Sequence, residues 1–384
     1  MVARNVTGTE DAAARAAGFA PRGAACEAAT GEAQTRLPRV FIAANFLSSA
    51  GGSRSVVEDL AERMRAGGYR LVTASHHRAG LLRGAHMLAT ALLRRASYDA
   101  AVVDLYSGRA FLIGEALSIV LKLLGRPFAL VLRGGALPRF GARHPRRLRA
   151  CLGRAAAVAA PSPYLLEEMR PFHDATLLLP NPVNLAAYEA RVRQSVGPRL
   201  VWLRSFHEIY NPTLAPRVVA LLAEEFPNVC LTMVGRDKGD GSLGRTREAA
   251  TALGVSDRIT FTGGVLKRDV PDILRRGDIF LNTTDVDNTP VSVLEALASG
   301  LCVVSTNVGG VPHLLEDGRD ALLVPPRDAA AMASAVRRLL DEPALAERLS
   351  RAGLAKAARF DWSHVMPQWE ALLASVSGQG VALA

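Results

Sequence analysis

The sequence predicts an α/β protein built from two doubly wound parallel sheets. Three observations carry that prediction. A chain of 384 residues is too long for one ordinary core and suits two domains of about 150 residues each. Short apolar runs alternate with helical stretches along nearly the whole sequence. Pro180, Asn181 and Pro182 form a stiff punctuation that divides the alternation into two series.

The first 36 residues, rich in Ala and Gly with charges of both signs, lack a continuous apolar core and read as a disordered tail or an overextended start. They resemble neither a secretion signal nor an acid-poor transit peptide. A first domain over 37–180 opens with a buried strand at 39–45, the Gly51-Gly52 turn and a helix to about residue 65. Strands near 69–74, 98–105, 127–132, 155–160 and 175–179 follow, separated by helical stretches. Strand, helix and parallel strand in succession imply right-handed crossovers. A second domain over 181–360 repeats the scheme with strands at 200–204, 229–235, 258–262, 278–282 and 301–305 and helices at 329–340 and 344–359. Residues 361–384 contain a helix that returns to the first domain.

The run 282–310, NTTDVDNTPVSVLEALASGLCVVSTNVGG, is the most informative. It reads as a strand end, a polar loop, a helix start and another buried strand. Thr289 suits the N-cap and Pro290 the first helical position, so the N–H groups of Val291 and Ser292 should point out of the helix end. Such an end binds phosphate readily. Val291, Leu294, Leu297 and Ala298 share one face at helical spacing, which sets Glu295 near the same mouth, where a carboxylate suits a ribose diol.

Asp287 and Glu295, eight positions apart around this loop, resemble the signature of retaining, nucleotide-sugar-dependent glycosyltransferases of the GT-B fold, family 4. The resemblance runs from Gly51 and Gly52 to Phe360, Asp361 and Trp362 and leaves out only the tail. It implies two Rossmann-like domains facing across a cleft. It assigns catalysis to Glu295, Asp287 and Arg204, and donor contacts to Gly51, Gly52, Arg204, Asn288, Thr289, Pro290, Val291, Ser292 and Glu295. Arg204 ends the first strand of the second domain, where open sheets place ligands, and its guanidinium can hold two phosphate oxygens. Two features depart from the family pattern: Asp287 stands where Glu is usual, and Tyr210 stands where a Lys usually follows the Arg. Lys238 and Lys267 are the candidates to supply the missing charge. Arg133, Gly134 and Gly135, in place of the family's His-Gly pair, are the acceptor-side candidates.

Charge is uneven. The chain carries +10 overall, and only four of its 46 basic residues are lysine. Residues 63–98 and 126–154 hold 15 Arg and no acid, so the remainder is net acidic. A basic first domain suits either a solvated face or an anionic membrane surface; the absence of a nucleic-acid motif or interleaved aromatics speaks against nucleic acid. Four scattered cysteines signal no disulfide framework or zinc site, which fits a reducing cytoplasm, with peripheral binding at the inner membrane face. The most apolar stretch, 111–124, is broken by Glu115 and Lys122, so no spanning helix is expected.

Three further patterns point elsewhere and are set aside. Gly239, Gly241 and Gly244 match GxGxxG, but the acid that a ribose needs is missing after the next strand. Asp285 and Asp287 spell a DxD metal pair, whereas their place before a helix favours a donor loop. His76 and His77 fall at a strand end, where adjacent side chains point to opposite faces and cannot share a metal. The reading is a glycosyltransferase using a nucleotide-diphosphate sugar and a lipid-linked, polysaccharide or small-molecule acceptor, with no metal or other cofactor. A catalytically silent nucleotide-sugar-binding protein and a sugar-nucleotide epimerase are the alternatives.

Overall fold

The computed structural model describes residues 37–48 and 55–378. The Gly51-Gly52 turn and the proposed tail lie outside the described residues. Two six-stranded sheets organise the rest, every strand pair parallel. The first contains β1 (Val40–Ala43), β2 (Leu71–Ala74), β3 (Ala100–Leu105), β4 (Phe128–Leu132), β5 (Ala157–Ala160) and β6 (Thr176–Leu178), in the order β2-β1-β3-β4-β5-β6. The second contains β7 (Arg199–Leu203), β8 (Cys230–Val234), β9 (Ile259–Gly263), β10 (Ile279–Asn282), β11 (Cys302–Thr306) and β12 (Leu322–Val324), in the order β12-β11-β10-β7-β8-β9. The sequence reading missed β12. Three residues after a turn are too few to show a period.

Both faces of each sheet are covered, so central strands such as β1 and β4 are apolar at every position rather than at alternate ones. In β1, Phe41 and Ala43 enter one cluster with Leu130, Leu117 and Leu148, while Val40 and Ile42 enter the opposite one. That opposite cluster includes Trp362, Val365, Trp369, Leu372 and Leu373 of the helix Trp362–Val376, which closes one face of the first sheet. The second sheet repeats the division, with Trp202 and Leu281 on one face and Val201, Phe280 and Val303 on the other. Each fully buried aliphatic side chain contributes about 1.5–3 kcal/mol relative to exposure.

The chain passes between the lobes twice, at 180–185 and at 360–362, and the two passages are tied together. Val183 N–H donates to the Phe360 carbonyl at 2.8 Å, and Leu185 N–H donates to Asp361 Oδ2 at 3.1 Å. The two crossings thus lie side by side.

One local expectation fails beside β2. The strand ends at Ala74, and His77 N–H turns back onto the Ser75 hydroxyl at 3.2 Å. His76 and His77 are therefore not on an extended strand, and their rings lie 4.6 Å apart on the same side of the chain.

Candidate functional site

The C-terminal ends of β7, β8 and β9 open onto a cavity of about 460 Å³. Arg204, Gly235, Arg236, Gly264, Lys267, Ser292 and Glu295 line it, with Ser48 approaching from the first lobe. The backbone fits closely here: a Cβ on Gly235 would overlap the Arg204 carbonyl oxygen. That contact sets the end of β8 against the end of β7, where Arg204 lines the cavity.

Arg204 is held from two sides. Its guanidinium pairs with Asp287 and stacks on the Tyr210 ring, with Cζ 4.5 Å from the ring centroid. Tyr210 thus does not replace a charge; it fixes the direction of one. Burial lowers the pKa of Arg204 from its ordinary value, yet a guanidinium remains protonated. Its Nε is buried without a hydrogen-bond partner, and so is the Ser292 hydroxyl. Both residues line the cavity, where an anionic ligand would find Arg204's charge and the Ser292 hydroxyl group close by.

Glu295 is nearly sealed, its side chain 4% exposed, and pairs with Lys267, which is 37% exposed. The pair stands where this cavity meets a second one of about 730 Å³ between the lobes, since both residues line both spaces. Lys238 is exposed and lines neither, so of the two lysines proposed for the missing charge only Lys267 is in place.

The donor loop differs in detail from its sequence reading. The helix is Val291–Ala298 with Pro290 at the N-cap and no side-chain cap. Thr289 does not cap it; its hydroxyl donates to the Pro161 carbonyl of the first lobe at 3.3 Å. Asn288 likewise accepts from Ser162, so 288 and 289 join the lobes rather than line the cavity. N–H groups at 291 and 292 still head the helix without intrahelical acceptors. Gly309 and Gly310, which sequence reasoning passed over, press on this loop: a Cβ on either would overlap the carbonyl of Asp287 or Asn288. A Gly-Gly pair separated by two residues from the end of a buried strand was the available signal.

Asp285 and Asp287 do not converge. Asp285 binds Arg327 at 2.9 Å, and Asp287 binds Arg204. Each carboxylate thus has its own cation in this structure.

Across the cleft, Arg133 follows β4 and donates from Nε to Asp104 at 2.9 Å and from Nη1 to Asn181 at 2.9 Å. Its Nη2 is buried and unpartnered. Burial pushes the Asp104 carboxyl above its usual range while Arg133 pulls it back. Gly134 approaches Ser107, and Gly135 approaches Asn288 of the donor loop. A further cavity of about 270 Å³ lies beside Asp104, Tyr106, Arg83 and Met87. Asp104 and Asn181 were not foreseen, because nothing in the sequence pairs them with Arg133.

Residues 197–342 match the family model described as glycosyl transferases group 1. That segment is similar to a group 1 glycosyltransferase domain. D-inositol 3-phosphate glycosyltransferase of Streptomyces avermitilis is 31% identical over 157 residues, which is 39% of this chain and 34% of the relative. Mannosylfructose-phosphate synthase of Agrobacterium fabrum is 32% identical over 166 residues, 42% of this chain and 36% of the relative. The chain thus spans about a third of the length of these curated relatives.

Solved structures extend the likeness in fold to the first lobe. Sucrose-phosphate synthase from Thermosynechococcus elongatus superposes with a TM-score of 0.73 at 18% identity, covering 90% of this chain and 100% of the other. HepE of Anabaena in complex with UDP-glucose gives 0.70 at 16% identity, covering 88% and 100%. Two parallel six-stranded sheets, with the segment that matches the family model second in order, make this a GT-B fold.

Proposed function

We propose that the protein transfers a sugar from a nucleotide-diphosphate sugar, held on the second lobe, to an acceptor held on the first, with retention at the anomeric carbon. The observation that carries this reading is one cavity lined by Arg204, Ser292 and the Lys267–Glu295 pair, with Arg204 Nε and Ser292 Oγ buried and unpartnered. Relatives named as glycosyltransferases and a structural neighbour holding UDP-glucose support it.

In chemical terms, the glycosidic bond to the diphosphate breaks and negative charge grows on the leaving oxygen. Arg204, Lys267 and the N–H groups at 291 and 292 are fixed positive groups for that charge. Glu295 takes the ribose diol. The acceptor hydroxyl attacks from the same face and gives its proton to the departing phosphate oxygen, so neither a protein nucleophile nor a metal is required. Contacts of 288 and 289 with 161 and 162 close the lobes over the reacting atoms and exclude water.

Titration with UDP-, GDP- and TDP-sugars, followed by product detection with and without EDTA and a lipid extract, tests the reading. Expected are selective binding of one donor and turnover that survives chelation. Binding without turnover on any acceptor would favour a silent binding protein, donor conversion without acceptor an epimerase, and loss on chelation restored by manganese would return Asp285 and Asp287 to a metal.

The acceptor side of the proposal is an anionic lipid surface. Among the described residues no helix is long and apolar enough to cross a membrane. Leu81 (92% exposed) and Leu93 (82%) on the helix Gly80–Leu93 and Leu123 (82%) on the helix Phe111–Leu123 nonetheless face outward beside Arg94, Arg95 and Lys122. Apolar side chains among cations suit the boundary of headgroups and acyl chains. On the neighbouring helix Pro145–Leu152, Arg147 is tied to Glu115 and Arg149 to the Pro171 carbonyl, so those charges are partly spent within the protein. Cosedimentation with anionic vesicles is expected, weakening as salt brings the Debye length below about 8 Å. Leu81→Gln with Leu93→Gln and Leu123→Gln should reduce it severalfold; unchanged binding would remove the lipid surface from the proposal.

A further inference from the structure

His76, His77 and His86 form a cluster that the glycosyl-transfer reading does not use. Their rings stand 4.6, 5.1 and 5.1 Å apart, and one ring nitrogen from each lies within 4.8 Å of the other two. His76 is exposed, and the other two are half-buried. His86 comes from the helix Gly80–Leu93, whereas His76 and His77 come from the loop after β2. We propose that these three histidines are the ligands of a borderline divalent metal ion, zinc first, with the fourth coordination position open.

Several features fit the proposal. Imidazole nitrogen is a preferred donor for zinc, cobalt, nickel and copper, and three protein ligands plus an open position is a common zinc arrangement. Tetrahedral zinc with Zn–N bonds near 2.0–2.1 Å needs nitrogens about 3.4 Å apart. The loop pair and the helical partner must therefore close by on the order of 1 Å, which torsions of exposed and half-buried rings can supply. Ser75 is fully buried and its hydroxyl lies 2.9 Å from His86 Nδ1 and 3.2 Å from His77 N, so one group orients both the ring and the loop. Oriented ligands of this kind bind more tightly than free ones.

Charge acts in the same direction. No carboxylate belongs to the cluster, so a hard cation such as calcium or magnesium is disfavoured.

The position gives a metal something to do. Ser75 pairs through its backbone with Ala44 and Phe46 on either side of Asn45, and Asn45, Arg83 and Met87 line the cavity beside Asp104. A metal bridging loop and helix would fix one wall of that cavity. The proposal does not depend on donor chemistry, and its test reads metal rather than turnover.

Untagged full-length protein, stripped with a chelator and dialysed, would be titrated with zinc against a chromogenic competitor and with cobalt by visible absorption. One equivalent of zinc and a cobalt spectrum of four-coordinate intensity are expected. His76→Gln and His77→Gln should each weaken zinc at least tenfold while leaving the circular dichroism unchanged. His86→Gln should do the same, and if it disturbs folding, the two loop variants decide. Absence of stoichiometric zinc, or binding that persists in the triple variant, would overturn the site.

Discussion

Glu295→Gln is expected to lower affinity for the nucleotide-sugar donor roughly 10- to 100-fold, the scale of one charge-assisted hydrogen bond, and to lower turnover with it. The side chain is 4% exposed on a helix packed into the second sheet, so its charge is retained against a desolvation cost. Lys267 offsets part of that cost, but Lys267 is 37% exposed and rehydrates when its partner becomes neutral. The stability loss of Glu295→Gln should therefore be small, about 1 kcal/mol or less. Lys267→Met reverses the balance by leaving a buried carboxylate without a cation, and should cost more stability. Calorimetric titration with UDP and UDP-sugar, beside thermal melts of both variants, makes the comparison. If Glu295→Gln bound donor like the parent chain, Glu295 would be only the counterion of Lys267. Asp287→Asn should do less, since Asp287 meets the cleft through Arg204.

The second sheet was legible because its strands are buried on both faces, and LVWL, IFLN and CVVST admit no other reading over so few residues. Helices 329–340 and 344–359 were legible for the opposite reason, a period of 3.6 long enough to count. What failed was short or non-local. β12 has three residues. The start of the helix at 291 shifted by one because Thr289, a good cap by type, spends its hydroxyl on Pro161 in the other lobe. Local propensity cannot foresee a partner 128 residues away.

The site shows the same division. Arg204 and Glu295 could be placed from strand ends and helical spacing alone. For the missing family lysine the sequence offered Lys238 and Lys267 without a choice between them; only the fold brings Lys267 to the cavity and stacks Tyr210 on Arg204. The histidine cluster was misread for a comparable reason. His76 and His77 were assigned to an extended strand, yet the strand stops at Ala74 and a buried serine hydroxyl turns the chain. Their third member, ten residues further on, is adjacent only in the folded chain.

Arg204→Ala should weaken nucleoside diphosphate binding by at least about 1.5–3 kcal/mol, and by more than the lost hydrogen bonds alone. With Arg204 gone, Asp287, whose side chain is 11% exposed, becomes an unbalanced anion beside the position proposed for the diphosphate. Like charges in a partly dry site repel strongly, so the vacancy harms binding twice. Two variants separate these contributions. Arg204→Lys keeps the charge but loses both the planar fork and the stack on Tyr210, and should fall between parent and Ala. Asp287→Asn in the Arg204→Ala background should recover part of the affinity, since it removes the repulsion but not the missing donor. Titrations with UDP and GDP on the parent, Arg204→Ala, Asp287→Asn and the double variant complete a double-mutant cycle. Unchanged diphosphate affinity in Arg204→Ala would make Arg204 a brace for the 287 loop and leave the phosphate charge to Lys267 and the helix N–H groups.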